Sequence, residues 1–501
     1  MTDPTNKDAL GTRTFPASFL FATGTSAYQV EGAAGTDGRL PSIWDEFARQ
    51  PGATLNGDSG EIACDSYNRI EDDVRILSEL GVGAYRFSVS WSRVLPTGSG
   101  SVNQGGLDYY RRLACALRER GIMPVVTLYH WDLPLALEHK GGWAVRETAQ
   151  RMGEFARVAG EALAQEAGMW ITINEPLQVA NLGYRLGIHA PGARDPQRAA
   201  AATHHIMLAH GLALAALRDV LPAGVPVGPT MDPQPFIALD PESEATCAML
   251  DAEVNRVFMD PVFNGTYPAD LRADHRPPEH LVKDGDMELI SAPIDFFGVN
   301  YYRPHYIRRG DAARLLIGET PVEDYPGFVE YKAPELEKSM MDWPVVPKEL
   351  HSLLLRLHRD SGGLKLYVTE NGCACDDYVN PAGEINDHAR VSYIDGHLRA
   401  VLDAIGDGAD VAGYFHWSLM DNFEWACGYS RRFGLYYVDF ETGRRIAKCS
   451  AAYYGQVARS GVLPAPAGQP SRTATDGQLR PGMLPAVPLD CSLTGVLDPV
   501  Q

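Results

Sequence analysis

Short apolar runs rich in β-branched residues recur along the chain, and each is followed by a stretch whose apolar positions repeat at helical spacing. Parallel strands buried on both faces and joined by helical crossovers produce that alternation. Strands are predicted at Phe19–Gly24, Ala84–Ser90, Met123–Tyr129, Met169–Asn174, Val225–Met231, Phe296–Asn300, Lys365–Thr369 and Val411–His416. Between them, helices are predicted over Ile70–Leu80, Leu107–Arg120, Thr148–Glu166, Ala199–Val220, Leu350–Asp360 and His388–Ala404. This repetition favours an α/β fold, a single closed (β/α)8 TIM barrel, over a doubly wound open sheet. The 501 residues fit one barrel with insertions, although size alone also allows two or three domains.

Two stretches break the rhythm. From Arg303 to Trp343 the sequence is polar, rich in Pro and Gly and without clear period, which predicts a long loop on the functional rim. After about Arg459 the composition turns to Pro, Ala, Gly and Thr. The expected division is therefore a barrel over residues 1–459 and an extension over 460–501, either irregular or packed on the barrel or a partner subunit.

Composition narrows the partners. The hydrophobic share of 45% and charged share of 22% suit a globular chain with a large core. A net charge of -20 argues against nucleic acid or an anionic membrane, both of which would repel the chain, and favours a neutral or cationic small molecule. No run of signal-peptide or transmembrane length is expected. The eight cysteines are scattered, which predicts free thiols in a cytoplasmic protein. Cys373 and Cys375 form one close pair, whereas a zinc site usually wants a second pair or histidines, so no metal is expected. No cofactor is expected either, and the oligomeric state stays open, a homo-oligomer included.

The chemistry is written at the strand ends. The run Met169 to Ile173 ends in Asn174-Glu175-Pro176, and Lys365 to Thr369 ends in Glu370-Asn371-Gly372. In a barrel the carboxyl ends of all strands converge on one face, so two glutamates distant in sequence can flank one substrate bond. Paired carboxylates there point to glycoside hydrolysis. Singly, either glutamate is equally well a surface, capping or salt-bridging residue. Other strand ends contribute Gln29, His130, Trp131, Asn300, Tyr301, Tyr302, His416 and Trp417. Amides, imidazole and indoles suit a sugar, whose hydroxyls need hydrogen bonds and whose C–H faces stack on aromatic rings. Buried core aromatics would explain any one of them, but not the whole set at strand ends.

With these residues in view the sequence resembles glycoside hydrolase family 1, the β-glucosidase and β-galactosidase family, from Phe15 to about Val457. The matching segments include FLFATGTSAYQVEG (Phe19 to Gly32), SIWD (Ser42 to Asp45), YRFSVSW (Tyr85 to Trp91) and HWDLP (His130 to Pro134). Others are TINEP (Thr172 to Pro176), GVNYY (Gly298 to Tyr302), TENG (Thr369 to Gly372) and WSLMDNFEW (Trp417 to Trp425).

The resemblance implies that Glu175 is the general acid/base and Glu370 the nucleophile of a retaining double displacement on a terminal β-linked sugar. It implies that Arg86 and Tyr302 stabilise ionised Glu370, whose charge keeps Glu175 protonated, with Asn300 also among the catalytic residues. It places Gln29, His130, Trp131, Asn174, Glu424 and Trp425 on the sugar's hydroxyls, Trp417 under its ring and Trp343 against the leaving group. Glu175 and Glu370 are both kept, unlike in the plant thioglucosidases and the noncatalytic members. Glu424 stands where phospho-specific relatives carry serine, so an unphosphorylated sugar is expected. Asp342, where the family often has glycine, and Ser66, where it often has histidine, depart from the pattern. A phospho-β-glycosidase and a sugar-binding or transglycosylating protein remain the competing readings.

Overall fold

A computed structural model describes residues 12–311, 315–317, 320–322 and 325–465. Eight parallel strands close into a barrel, in the order β1 to β8 with β8 back against β1. They are β1 (Leu20–Gly24), β2 (Ala84–Ser88), β3 (Met123–Tyr129), β4 (Met169–Asn174), β5 (Val227–Met231), β6 (Phe297–Asn300), β7 (Leu366–Asn371) and β8 (Val411–Trp417). All eight predicted strands are present, and the open-sheet alternative is excluded. The outer ring includes α1 (Ile70–Leu80), α2 (Gln104–Glu119), α3 (Arg146–Leu163), α4 (Pro196–Val220), α5 (Pro347–Asp360), α6 (His388–Gly406) and α7 (Cys449–Ser460).

Local chemistry sets these boundaries. α1 buries Val74, Ile76, Leu77 and Leu80 along one face and stops at Gly81, whose φ of 77° is easiest for glycine. α4 starts at Asp195, whose carboxylate accepts from the amides of Gln197 and Arg198, with Pro196 at its first position. α4 is also long and apolar enough to cross a membrane by length and composition, contrary to the sequence expectation that no run reaches that length. Of its most apolar window 89% is buried inside the protein, which is how a helix apolar on every side sits in a large core.

Inside the barrel, Ala22, Ala84, Val125, Met169, Ile171, Phe296 and Phe415 form an apolar plug. Two residues beyond Ala84 the same inward face of β2 carries Arg86, so the plug gives way to a polar layer directly beneath the active rim. Glycine is required where strands crowd: a Cβ on Gly298 would lie 2.2 Å from Thr230 Oγ1, and one on Gly372 would lie 1.8 Å from the Trp417 carbonyl oxygen.

The stretch from Arg303 to Trp343 is not a plain loop. His305–Arg309 lies between Phe328–Glu330 and Phe236–Ala238 in a three-stranded sheet, and Leu315–Ile317 pairs with Thr320–Val322. These strands are three to five residues long, and Phe236–Ala238 comes from a different βα connection, so no local period announces the sheet. At the other end of the chain α7 runs through Ser460, and Val462–Leu463 pairs antiparallel with Arg13–Thr14. The remainder of the proposed extension, residues 466–501, lies outside the described residues.

Candidate active site

Glu175 follows the last residue of β4 and has a φ of 47°, a left-handed conformation that costs a non-glycine residue about 1–3 kcal/mol. Pro176 opens the next helical turn, and the Glu175 amide donates to the Thr230 carbonyl on β5 at 2.9 Å. These restraints on both sides hold the strained residue. Glu370 lies in β7 beyond a register shift between Val368 and Glu370, and faces Asn300 of β6. Such a bulge re-aims a side chain at the end of a strand.

One hydrogen-bonded chain joins the two carboxyl groups. Asn300 Nδ2 donates to Glu175 Oε1 at 2.6 Å and to Asn174 Oδ1 at 3.1 Å. Arg86 Nη2 donates to the same Asn174 oxygen at 2.6 Å, and its Nη1 donates to Glu370 Oε1 at 2.6 Å. Tyr302 OH donates to Glu370 Oε2 at 2.7 Å. The guanidinium also bonds Thr127 Oγ1 at 3.0 Å and the Thr369 carbonyl at 3.1 Å, so a fully buried cation is surrounded by acceptors. Thr369 Oγ1 donates to Asn300 Oδ1 at 2.9 Å, which fixes which way the Asn300 amide points.

The two carboxyl groups are not equivalent. Burial raises the pKa of both, but Glu370 is opposed by the Arg86 charge and by hydrogen bonds from Tyr302 and Arg86. Glu175 is pushed well above the carboxylate range by burial, by Asp232 and by Glu370, with only Asn300 and Arg86 opposing. The environment thus favours a proton on Glu175 and a charge on Glu370, the separation that acid and nucleophile roles require. The Glu370 charge, which the family resemblance implies keeps Glu175 protonated, acts after burial and Asp232.

The cleft above them has a volume of about 300 Å³ and is lined by Glu175, Glu370, His130, Trp131, Asn300, Tyr302, Trp343, Trp417, Glu424 and Trp425, among others. His130 stacks on Trp417 with ring centroids 5.6 Å apart and 12° between planes, and on Trp425 at 6.0 Å and 16°. Burial and the Arg86 charge hold the His130 pKa well below its ordinary value, so it is a neutral hydrogen-bonding group. Trp131 Nε1 donates to the Asn174 carbonyl at 3.1 Å. Glu424 is raised to about 8 by burial and by the charge on Glu370.

Five residues named from the sequence stand behind this surface instead of on it: Tyr301, whose hydroxyl donates to the Val346 carbonyl at 2.8 Å, the fully buried His416, and Arg86, Asn174 and Gln29. Arg86 and Asn174 act through the chain just described. Gln29 accepts from Ser26 Oγ at 2.6 Å and donates to Asn422 Oδ1 at 3.1 Å and to the Phe423 carbonyl at 2.9 Å. It anchors the segment that presents Glu424. Asp342, the departure noted in the sequence, has a side chain that is 71% exposed and paired with Lys338 at 2.8 Å.

Asp232, Gln178, His189, Gln234, Arg303 and His305 also line the cleft and were not singled out from the sequence. Asp232 follows β5, accepts from Gln178 Nε2 at 2.7 Å, and is raised to about 7, chiefly by burial. Its signal was the one used for Glu175, a carboxyl at a strand end.

Comparison with known proteins agrees with this geometry. The chain matches the family described as "Glycosyl hydrolase family 1" over residues 11–462. It is 40% identical to β-glucosidase A of Thermotoga maritima over 460 residues, covering 91% of this chain and 100% of that protein. It is 44% identical to the thermostable β-glucosidase B of Thermobispora bispora over 463 residues, covering 91% and 93%. It is also 42% identical to the bifunctional β-D-glucosidase/β-D-fucosidase of Bifidobacterium breve over 455 residues, covering 88% and 98%. The solved family 1 β-glucosidase from T. maritima superposes with a TM-score of 0.83 at 39% identity, covering 90% of this chain and 99% of that one. The chain belongs to glycosyl hydrolase family 1, and it is a retaining β-glycosidase.

The Tyr302 hydrogen bond makes one prediction. With Glu370 as nucleophile and Glu175 as acid, kcat/KM is expected to fall on the acid side as Glu370 gains a proton and on the alkaline side as Glu175 loses one. A hydrogen bond to a charged group is worth about 1.5–3 kcal/mol, so Tyr302→Phe should move the acid limb to higher pH by about one unit or more. The alkaline limb should move less. An acid limb that stays in place would show that Tyr302 does not stabilise the Glu370 carboxylate.

Proposed function

We propose that this protein is an exo-acting β-glucosidase in which Glu370 is the nucleophile and Glu175 the general acid/base, and that its sugar is unphosphorylated. The observation that carries the assignment is the chain Glu175–Asn300–Asn174–Arg86–Glu370, which puts two unlike carboxyl groups on one site. In the first step Glu370 attacks the anomeric carbon while Glu175 gives its proton to the leaving oxygen. Glycosylation neutralises Glu370, which removes one of the charges that raise Glu175. Glu175 then takes a proton from water as that water attacks the glycosyl-enzyme. Trp417 and Trp425 offer ring faces to the sugar; His130 and Glu424 offer hydrogen bonds.

Selection against a sugar 6-phosphate rests on charge. With its pKa raised to about 8, Glu424 is mostly neutral below pH 7, so its own charge does not by itself exclude a phosphate. Two other features support the reading. A phosphate brings nearly two negative charges into a cleft that already holds the Glu370 carboxylate, and among the described residues Arg303, over the leaving-group tryptophan, is the one lysine or arginine lining the cleft. A desolvated dianion without a counterion binds badly. An aryl β-glucoside should therefore be turned over with a kcat/KM at least about 100-fold above that of its 6-phosphate. A higher value for the phosphate would replace this reading with that of a phospho-glycosidase. The name of the B. breve relative favours tolerance of D-fucose, which lacks the 6-hydroxyl. A cytoplasmic setting is supported by the unbridged Cys373 and Cys375 sulfurs, 3.7 Å apart.

A further inference from the structure

Arg303 directly follows Tyr302 and lines the cleft. Its guanidinium carbon lies 5.2 Å from the centre of the Trp343 ring, which covers one face of the cation. Two carboxylates, Glu330 and Asp342, act on it through space, yet each is taken by other groups. Glu330 accepts from His305 Nδ1 at 2.7 Å and from Lys332 Nζ at 2.6 Å, and Asp342 accepts from Lys338 Nζ at 2.8 Å. Among the described residues none forms an ion pair or hydrogen bond with Arg303. Burial lowers its pKa, the signature of a cation short of compensation. Stacking uses the face of a guanidinium and leaves its in-plane N–H donors to meet an acceptor edge-on.

The rest of the cleft does not cancel this charge. Glu175 is pushed well above the carboxylate range, Glu424 to about 8 and Asp232 to about 7, so below neutral pH these groups carry mostly protons. Glu370 has Arg86 at 2.6 Å. His305, lowered to about 4, is neutral and serves as a donor to Glu330. Among the described residues, the Arg303 guanidinium is what remains without a directly bonded counter-charge on the leaving-group side.

We infer that Arg303 makes the leaving-group side of the cleft a binding site for a carboxylate, so that the enzyme prefers β-glycosides whose aglycone carries an acid group. This rests on the β-glycosidase reading of the same cleft. A planar carboxylate takes two parallel hydrogen bonds from a guanidinium, a pairing that a neutral amide cannot reproduce and that a lysine meets only as a point charge. The protein as a whole is acidic, so a cation at this one place selects by contrast with its surroundings.

The test compares 4-carboxyphenyl and 4-carbamoylphenyl β-glucoside at pH 6 in wild type, Arg303→Met and Arg303→Lys. Any difference in leaving-group reactivity is common to all three proteins, so the ratio of the two kcat/KM values isolates the Arg303 contribution. The expected result is a ratio about tenfold lower in Arg303→Met, with an intermediate value in Arg303→Lys. The same ratio in wild type and Arg303→Met overturns the inference. A second measurement needs no variant. As competitive inhibitors of wild type, the 1-thio-β-glucosides of the two aglycones should differ about tenfold in favour of the acid. Equal or tighter inhibition by the amide also overturns it. Hydrolysis of 4-nitrophenyl β-glucoside by wild type separates the two levels: without it the glycosidase reading itself fails, and with it only the carboxylate preference is at stake.

Discussion

Replacing Glu370 by alanine is expected to lower kcat/KM for an aryl β-glucoside by at least about 10⁴-fold, because among the carboxyl groups lining the cleft it is the one whose charge Arg86 and Tyr302 support. Glu370→Gln should lose nearly as much, since an amide does not attack the anomeric carbon; its one oxygen can accept from Arg86 while its NH2 donates to the Tyr302 hydroxyl oxygen. The two variants separate chemistry from stability. Alanine leaves the Arg86 guanidinium, fully buried and 2.6 Å from its partner, without a counterion, at a cost of about 3–5 kcal/mol. Glutamine removes the same charge but fills the space and keeps an oxygen for Arg86, so it should unfold closer to wild type. Denaturant midpoints measured beside the rates would show the larger stability loss in the alanine variant. Retention of more than about one hundredth of wild-type activity in either variant would remove Glu370 from the nucleophile role.

Loss of Glu175 should depend on the leaving group. A dinitrophenolate departs without a proton and an alkoxide does not, so Glu175→Ala should form the glycosyl-enzyme from a dinitrophenyl glucoside far faster than from an alkyl glucoside, by about 10²–10⁴ relative to wild type. Its second step also lacks a base, so the intermediate should accumulate and show as a burst. Azide needs no base and fits the space the side chain vacates; it should speed turnover and give a glycosyl azide of retained configuration. In Glu370→Ala azide would attack from the opposite face and give the inverted product. Equal losses on both substrates, with no azide effect, would contradict the division of labour between the two glutamates.

The barrel was legible because parallel strands buried on both faces leave continuous apolar runs, and β4, Met169 to Asn174, was readable to its last residue. The rim was less so. The sheet that joins Phe236–Ala238 to His305–Arg309 is made by pairing across nearly seventy residues of chain, and its strands are too short to carry a period. Glu175 and Glu370 stood out because each ends a clear strand and carries a family motif. Asp232 ends β5 in the same way but carried no motif in the reading, and its effect on Glu175 appears only when the two strands are side by side. Arg303 was hidden for a related reason. Its role depends on which carboxylates its neighbours have already taken, and that is a property of the assembled rim. Gln29 shows the opposite case, a motif residue expected at a strand end that lies in the short helix Ala27–Val30 after β1, where its amide holds the Glu424 segment.

The central claim is that Glu370 carries the sugar between two displacements. The measurement that tests it most directly is trapping with 2,4-dinitrophenyl 2-deoxy-2-fluoro-β-glucoside, followed by peptide mass spectrometry. Fluorine at the 2-position slows both steps and the good leaving group restores the first, so the intermediate should persist. The account predicts one dinitrophenolate released per active site, inactivation with the same time course, and the mass of one fluorosugar on Glu370. A label on another residue, or inactivation without any label, would contradict it.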